Sequence, residues 1–104
     1  MKKVVVRYMT RPDQAEENQR LVKNVFTELE DAGPDGVRYA AFRLADGVTF
    51  VHVAFIETDD GSNPLGELAA FSEFQAKIAD RCEERPSAQD ATVVGSYRFF
   101  ADQS

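Results

Sequence analysis

Strand-like and helix-like spacings of hydrophobic residues alternate along this chain. Residues 3 to 10 (KVVVRYMT) are β-branched and aromatic and are closed by Arg11-Pro12, which predicts a first strand. The spacing then lengthens: Leu21, Val22, Val25, Phe26 and Leu29 recur with helical period, and Asp13 stands three positions before Glu16 in the manner of a capping box. A helix over about 13 to 32 follows, stopped by Gly33-Pro34. Two apolar-aromatic runs, 37 to 45 and 48 to 57, flank Asp46-Gly47, a dipeptide suited to a tight two-residue hairpin turn. After a polar loop, Asn63 can cap a helix with Pro64 at its first position. Gly66 divides a short turn at 64 to 69 from a main helix at about 70 to 85, whose stripe is Leu68, Phe71, Phe74, Ile78 and Cys82 and whose end is Arg85-Pro86. Residues 91 to 100 predict the fourth strand, followed by a polar tail.

The order strand, helix, strand, strand, helix, strand predicts a single α+β domain over 1–104 with the ferredoxin-like βαββαβ plan. In it, two helices cover one face of a four-stranded antiparallel sheet. A two-residue loop at 46 and 47 sets Ala45 opposite Val48, which fixes the residues sharing each face. Ala40, Phe42, Leu44, Thr49, Val51, Val53 and Phe55 are expected against the helices. Val37, Tyr39, Ala41, Arg43, Phe50, His52, Ala54 and Ile56 are expected on the other face, joined by Val5, Arg7, Met9, Val94, Ser96 and Arg98 if Val4, Val6, Tyr8, Val93, Tyr97 and Phe99 point to the helices. That second face is too apolar to be left in water as one patch, so a homodimer formed by sheet-to-sheet packing is expected.

Composition narrows the classes of partner. The chain carries 12 basic and 18 acidic residues, and a net charge of -6 gives no basic footprint for nucleic acid. Cys82 is the single cysteine, so an intrachain disulfide and a thiolate metal cluster are not expected, and a reducing cytoplasm fits. Arg7 interrupts the opening valine run, so neither a signal peptide nor a membrane span is expected there. No Gly-rich phosphate loop is present, and no three convergent ligands can be assembled from one His and one Cys, so neither metal nor nucleotide cofactor is expected.

The element order, the Asp46-Gly47 hairpin, the segment Leu68-Ala69-Ala70-Phe71-Ser72-Glu73-Phe74 and the run Val93-Val94-Gly95-Ser96-Tyr97 make the chain similar to the dimeric α/β-barrel superfamily, whose best-known branch is the antibiotic biosynthesis monooxygenase type. The resemblance implies two sheets packed into a shared barrel and, in many members, a small-molecule pocket. Members named as monooxygenases oxidise aromatic substrates without metal or flavin, some of them with Trp and Asn beside the substrate; this chain contains no Trp. Haem-using relatives need an axial His, and His52, in mid-strand without a haem motif, is not expected to serve as one.

The chemistry-bearing residues are few. His52 is the only histidine and, with Arg43, forms the candidate catalytic pair, a base or orienting group beside a cation; the alternative is a hydrogen-bonded histidine in a subunit interface. Arg7, Arg43 and Arg98 on one face could hold a carboxylate or phenolate, or pair with acids of a second subunit. Tyr8, Tyr39, Phe50 and Tyr97 are candidate substrate-binding walls. The function expected is binding of a small aromatic or anionic molecule, with cofactor-independent monooxygenase activity implied by the resemblance. The alternative is a dimeric module without catalysis.

Overall fold

The computed structural model describes residues 1–100. Its elements run β1 (Lys2–Thr10), a 3-10 turn (Pro12–Gln14), α1 (Ala15–Ala32), β2 (Val37–Arg43), β3 (Thr49–Ile56), a 3-10 turn (Pro64–Glu67), α2 (Ala69–Ala76), α3 (Ile78–Arg81) and β4 (Cys82–Asp90). The strands form one antiparallel sheet in the order β2-β3-β1-β4, the ferredoxin-like α+β arrangement expected from the sequence. No helix among the described residues is long and apolar enough to cross a membrane. The polar tail at 101–104 lies outside the described residues.

Local signals placed most boundaries. Gly33 takes a left-handed φ of 54° and donates its N–H to Leu29 O, closing α1, and Pro34 prevents continuation. Asn63 caps the turn at Pro64–Glu67 by accepting from Leu65 N, and an extended Leu68 separates that turn from α2. The capping box at Asp13 does not form: α1 enters through the 3-10 turn, with Gln14 as an N-cap that makes no side-chain bond. The hairpin keeps the expected register, Arg43 opposite Phe50 and Ala41 opposite His52. Its connection is wider than two residues. Gly47 N bonds Leu44 O with Gly47 at φ 79°, while the Asp46 carboxylate accepts from Val48 N and Thr49 N.

The structure also corrects the C-terminal elements and, after them, the faces of the sheet. The fourth strand is Cys82–Asp90 rather than 91 to 100, and helix 70 to 85 is cut to α2 and the four-residue α3. The edge of β1 needs a hydrogen-bonding partner, and the chain leaving α3 is already beside it: Val4 to Arg7 pair with Asp90 to Ser87. The segment CEERPSAQD has weak strand propensity, which tertiary pairing overrides. Pro86 is tolerated because it lies on an edge strand where the register slips between Arg7 and Met9, so its missing N–H interrupts no regular ladder.

A further correction concerns the faces. Tyr8, Phe50, His52 and Ile56 are buried, and Val6, Tyr39, Ala41 and Ala54 pack with them against Leu21, Val22, Val25 and Phe74 of the helices. The face bearing His52 is therefore the helix-covered one. Val5, Met9, Ala40, Phe42, Val51, Val53 and Phe55 lie half-buried on the other face. Hairpin register fixes which residues share a face, but not which face the crossover helices cover. His52 and the tyrosines can enter the interior because they satisfy one another.

Candidate functional site

One cavity of about 590 Å³ lies between the sheet and α2. Val4, Val6, Ala54 and Ile56 form its apolar floor, and Leu65, Phe71, Phe74 and Ile78 its opposite wall. Tyr8, Tyr39 and His52 supply a polar end, and Asn63, Gln75, Lys2 and Pro86 also line it. Among these lining residues Lys2 is the one bearing a full charge, so the interior is close to neutral.

The polar end belongs to a chain of buried hydrogen bonds. His52 sits on β3 beside β1 and β2, its ring 5.3 Å from Tyr8 and 5.7 Å from Tyr39 by centroid, and stacked at 5.4 Å on Phe74. Tyr8 Oη lies 2.8 Å from His52 Nε2, and Tyr39 Oη meets His52 Nδ1. Asn18 of α1 donates its Nδ2 to Tyr8 Oη at 2.8 Å, and Arg81 donates Nε to Asn18 Oδ1 at 3.1 Å and a terminal nitrogen to Phe74 O at 2.7 Å. Phe50 stacks on Tyr8 at 5.5 Å and holds that ring from the far side, while Phe26 stacks on Tyr39 at 5.1 Å.

Burial sets the protonation states. Desolvation pushes the His52 pKa down to about 4, so the imidazole is neutral at neutral pH. Burial likewise raises the Tyr8 and Tyr39 hydroxyls well above the ordinary phenol range, more than the Asn18 bond lowers Tyr8. These groups present hydrogen-bonding dipoles rather than charges. Both ring nitrogens of His52 are engaged by tyrosines, and of the two hydroxyls that of Tyr8 is also bonded to Asn18.

Of the residues singled out from sequence, His52, Tyr8 and Tyr39 come together at the cavity, and Phe50 stands behind them. The three arginines do not cluster. Arg43 lies at the rim of the helix-covered face, bonding Glu16 at 2.9 Å, Gln19 at 2.8 Å and Gly47 O at 2.8 Å, outside the cavity lining. Arg7 is exposed on the opposite sheet face. Arg98 lies beyond β4, its guanidinium 5.3 Å over the exposed Tyr97 ring.

Asn18 and Arg81 escaped the sequence reading, though a signal existed. Asn18 interrupts the apolar stripe of Ala15, Leu21, Val22 and Val25, and Arg81 follows Phe74 and Ile78 at helical spacing. Among the described residues, no group of three His, Cys, Asp or Glu side chains converges as a metal ligand set.

The helix-covered four-stranded antiparallel sheet is the fold of solved structures named as antibiotic biosynthesis monooxygenase-like proteins, and this chain shares that fold. It matches a Mycobacterium tuberculosis protein with a TM-score of 0.72 at 18% identity, over 90% of this chain and 95% of that one. A Nitrosomonas europaea protein named as a candidate antibiotic biosynthesis monooxygenase matches with a TM-score of 0.72 at 17% identity, over 91% and 100%. SnoaB from Streptomyces nogalater, a cofactor-independent oxygenase, matches in its N63A mutant with a TM-score of 0.65 at 13% identity, over 92% and 95%. No family model and no curated protein sequence matches the chain.

Proposed function

We propose that this protein binds a small, uncharged aromatic molecule in the cavity between its sheet and α2. The carrying observation is the cavity itself, walled by Phe71, Phe74 and Ile78 and closed at one end by the Tyr39, His52 and Tyr8 hydrogen-bond chain. Its volume lies within the range that encloses drug-sized ligands, and apolar walls with few oriented polar groups are typical of such sites. Of the aromatic and anionic ligands expected from sequence, the aromatic is favoured, since the arginines lie elsewhere. Titration calorimetry with 1-naphthol tests the reading: saturable binding is expected in the native chain and loss of it in Ala54→Phe, which fills the floor. Absence of binding to the native chain overturns it.

Cofactor-independent oxygenation belongs to the same reading, supported by the fold shared with a cofactor-independent oxygenase. Oxygen uptake upon addition of 1,4-dihydroxynaphthalene, above spontaneous autoxidation and lost in Ala54→Phe, is the expected outcome. Uptake no faster than autoxidation makes the protein a binding module instead.

A homodimer completes the proposal. The half-buried Val5, Met9, Phe42, Val51, Val53 and Phe55 form an apolar sheet face, and the exposed Val93, Val94, Tyr97 and Phe99 beyond β4 add apolar surface that a second copy would cover. A monomer mass by light scattering at micromolar concentration would exclude it. A reducing, cytoplasmic setting is supported by the single buried thiol of Cys82.

A further inference from the structure

The hydrogen-bond chain behind the cavity has a direction, and its starting point fixes that direction. Arg81 can only donate, so the Asn18 oxygen must face it and the Asn18 amide nitrogen must face Tyr8. Tyr8 Oη therefore accepts from Asn18, and because His52 Nε2, 2.8 Å away, is the one acceptor that the described residues offer its own proton, Tyr8 donates there. With Nε2 accepting, the neutral imidazole carries its proton on Nδ1 and donates it to Tyr39 Oη. Tyr39 accepts at that oxygen and still has one O–H. Among the described residues no other hydrogen bond engages that hydroxyl, and Tyr39 lines the cavity.

We infer that the chain from Arg81 to Tyr39 polarises the cavity as a hydrogen-bond donor site, selecting planar ligands that present an acceptor oxygen, such as an aromatic ketone or quinone carbonyl, over ligands that present only a donor. This deepens the aromatic-ligand reading above and rests on it. Arg81, Asn18, Tyr8 and His52 are positioning residues: they set which way the Tyr39 hydroxyl is free to point. The relay is enclosed, since Asn18, Tyr8, His52 and Arg81 are each no more than 5% exposed, so water competes little for its members.

Three tricyclic molecules of similar shape separate the terms: 9-fluorenone offers an acceptor, carbazole a donor, and fluorene neither. The native chain is expected to bind fluorenone about tenfold more tightly than fluorene, the worth of one neutral hydrogen bond, and carbazole no better than fluorene. The carbonyl stretch of bound fluorenone is expected to move to lower frequency in the native chain and to return in Tyr39→Phe, with the preference abolished. Asn18→Asp supplies the reversing experiment. An aspartate accepts from both Arg81 and Tyr8, so Tyr8 accepts from Nε2–H, Tyr39 donates to Nδ1, and the cavity is left facing a hydroxyl oxygen; the preference is expected to pass from fluorenone to carbazole.

Because His52 is the only histidine, its ring ¹⁵N resonances read the tautomer without ambiguity. A protonated Nδ1 and bare Nε2 are expected in the native chain, and the opposite in Asn18→Asp. An Nε2–H tautomer in the native chain overturns the inference, whatever the binding data. So does equal binding of fluorenone and fluorene, which leaves the aromatic-ligand reading standing, whereas failure of both to bind removes that reading and the inference together.

Discussion

His52 ties protonation to stability through its burial. Its pKa of about 4 in the folded chain lies below the ordinary 6.5, so between those values the unfolded chain binds a proton that the folded chain does not. Stability therefore falls as pH drops from 6.5 toward 4, by about 3 kcal/mol from this one group. Carboxylates act in the same window, so the informative quantity is the difference between native chain and His52→Gln in urea unfolding at pH 7 and pH 4. The native chain is expected to lose about 3 kcal/mol more than the variant across that interval. Arg81 gives a second prediction. Arg81→Met leaves Asn18 Oδ1 and Phe74 O without their donor in a buried setting, and a loss of about 2–4 kcal/mol is expected in the same assay.

Two glycines in positive-φ turns show how element boundaries are held. Gly33 ends α1 at φ 54° with open space where a Cβ would lie, so Gly33→Ala is expected to cost only the left-handed backbone penalty, about 1 kcal/mol. Gly36, at φ 85° before β2, would place a Cβ 2.6 Å from the Thr58 methyl, and its carbonyl accepts from Glu57 N. Gly36→Ala is expected to cost more than Gly33→Ala, and thermal unfolding of the two variants ranks them. At β4, the bulge opposite Tyr8 makes Pro86 dispensable. Pro86→Ser is expected to leave the melting temperature nearly unchanged, because no ladder bond waits for the new N–H.

At the scale of the molecule the sheet divides the protein into a packed half and an open one. Val53 stands near the middle of the open face, between Val5 on β1 and Ala40 on β2. If that face is the contact between two copies, Val53→Asp buries an unpaired charge there. The expected outcome is a fall in mass by light scattering, with far-ultraviolet circular dichroism unchanged because the helix-covered core is untouched. Ligand binding in the cavity should survive in the separated chains, since the lining residues named above all come from one chain.

Sequence alone determined the alternation of strand and helix, the stop at Gly33, the cap at Asn63 and the hairpin register, because each depends on neighbours a few positions apart. It also singled out His52, Tyr8 and Tyr39 as residues with chemistry to offer. Only the tertiary structure decided which side of the sheet the helices cover, since both faces of β2 and β3 are apolar enough and the crossover makes the choice. It moved the fourth strand from the apolar 91 to 100 to the polar Cys82–Asp90, because an unpaired β1 edge took the chain nearest to it. It also brought Asn18 and Arg81, 63 positions apart, into one chain of hydrogen bonds with Tyr8 and His52, an arrangement that follows from how the helices lie on the sheet and not from local spacing.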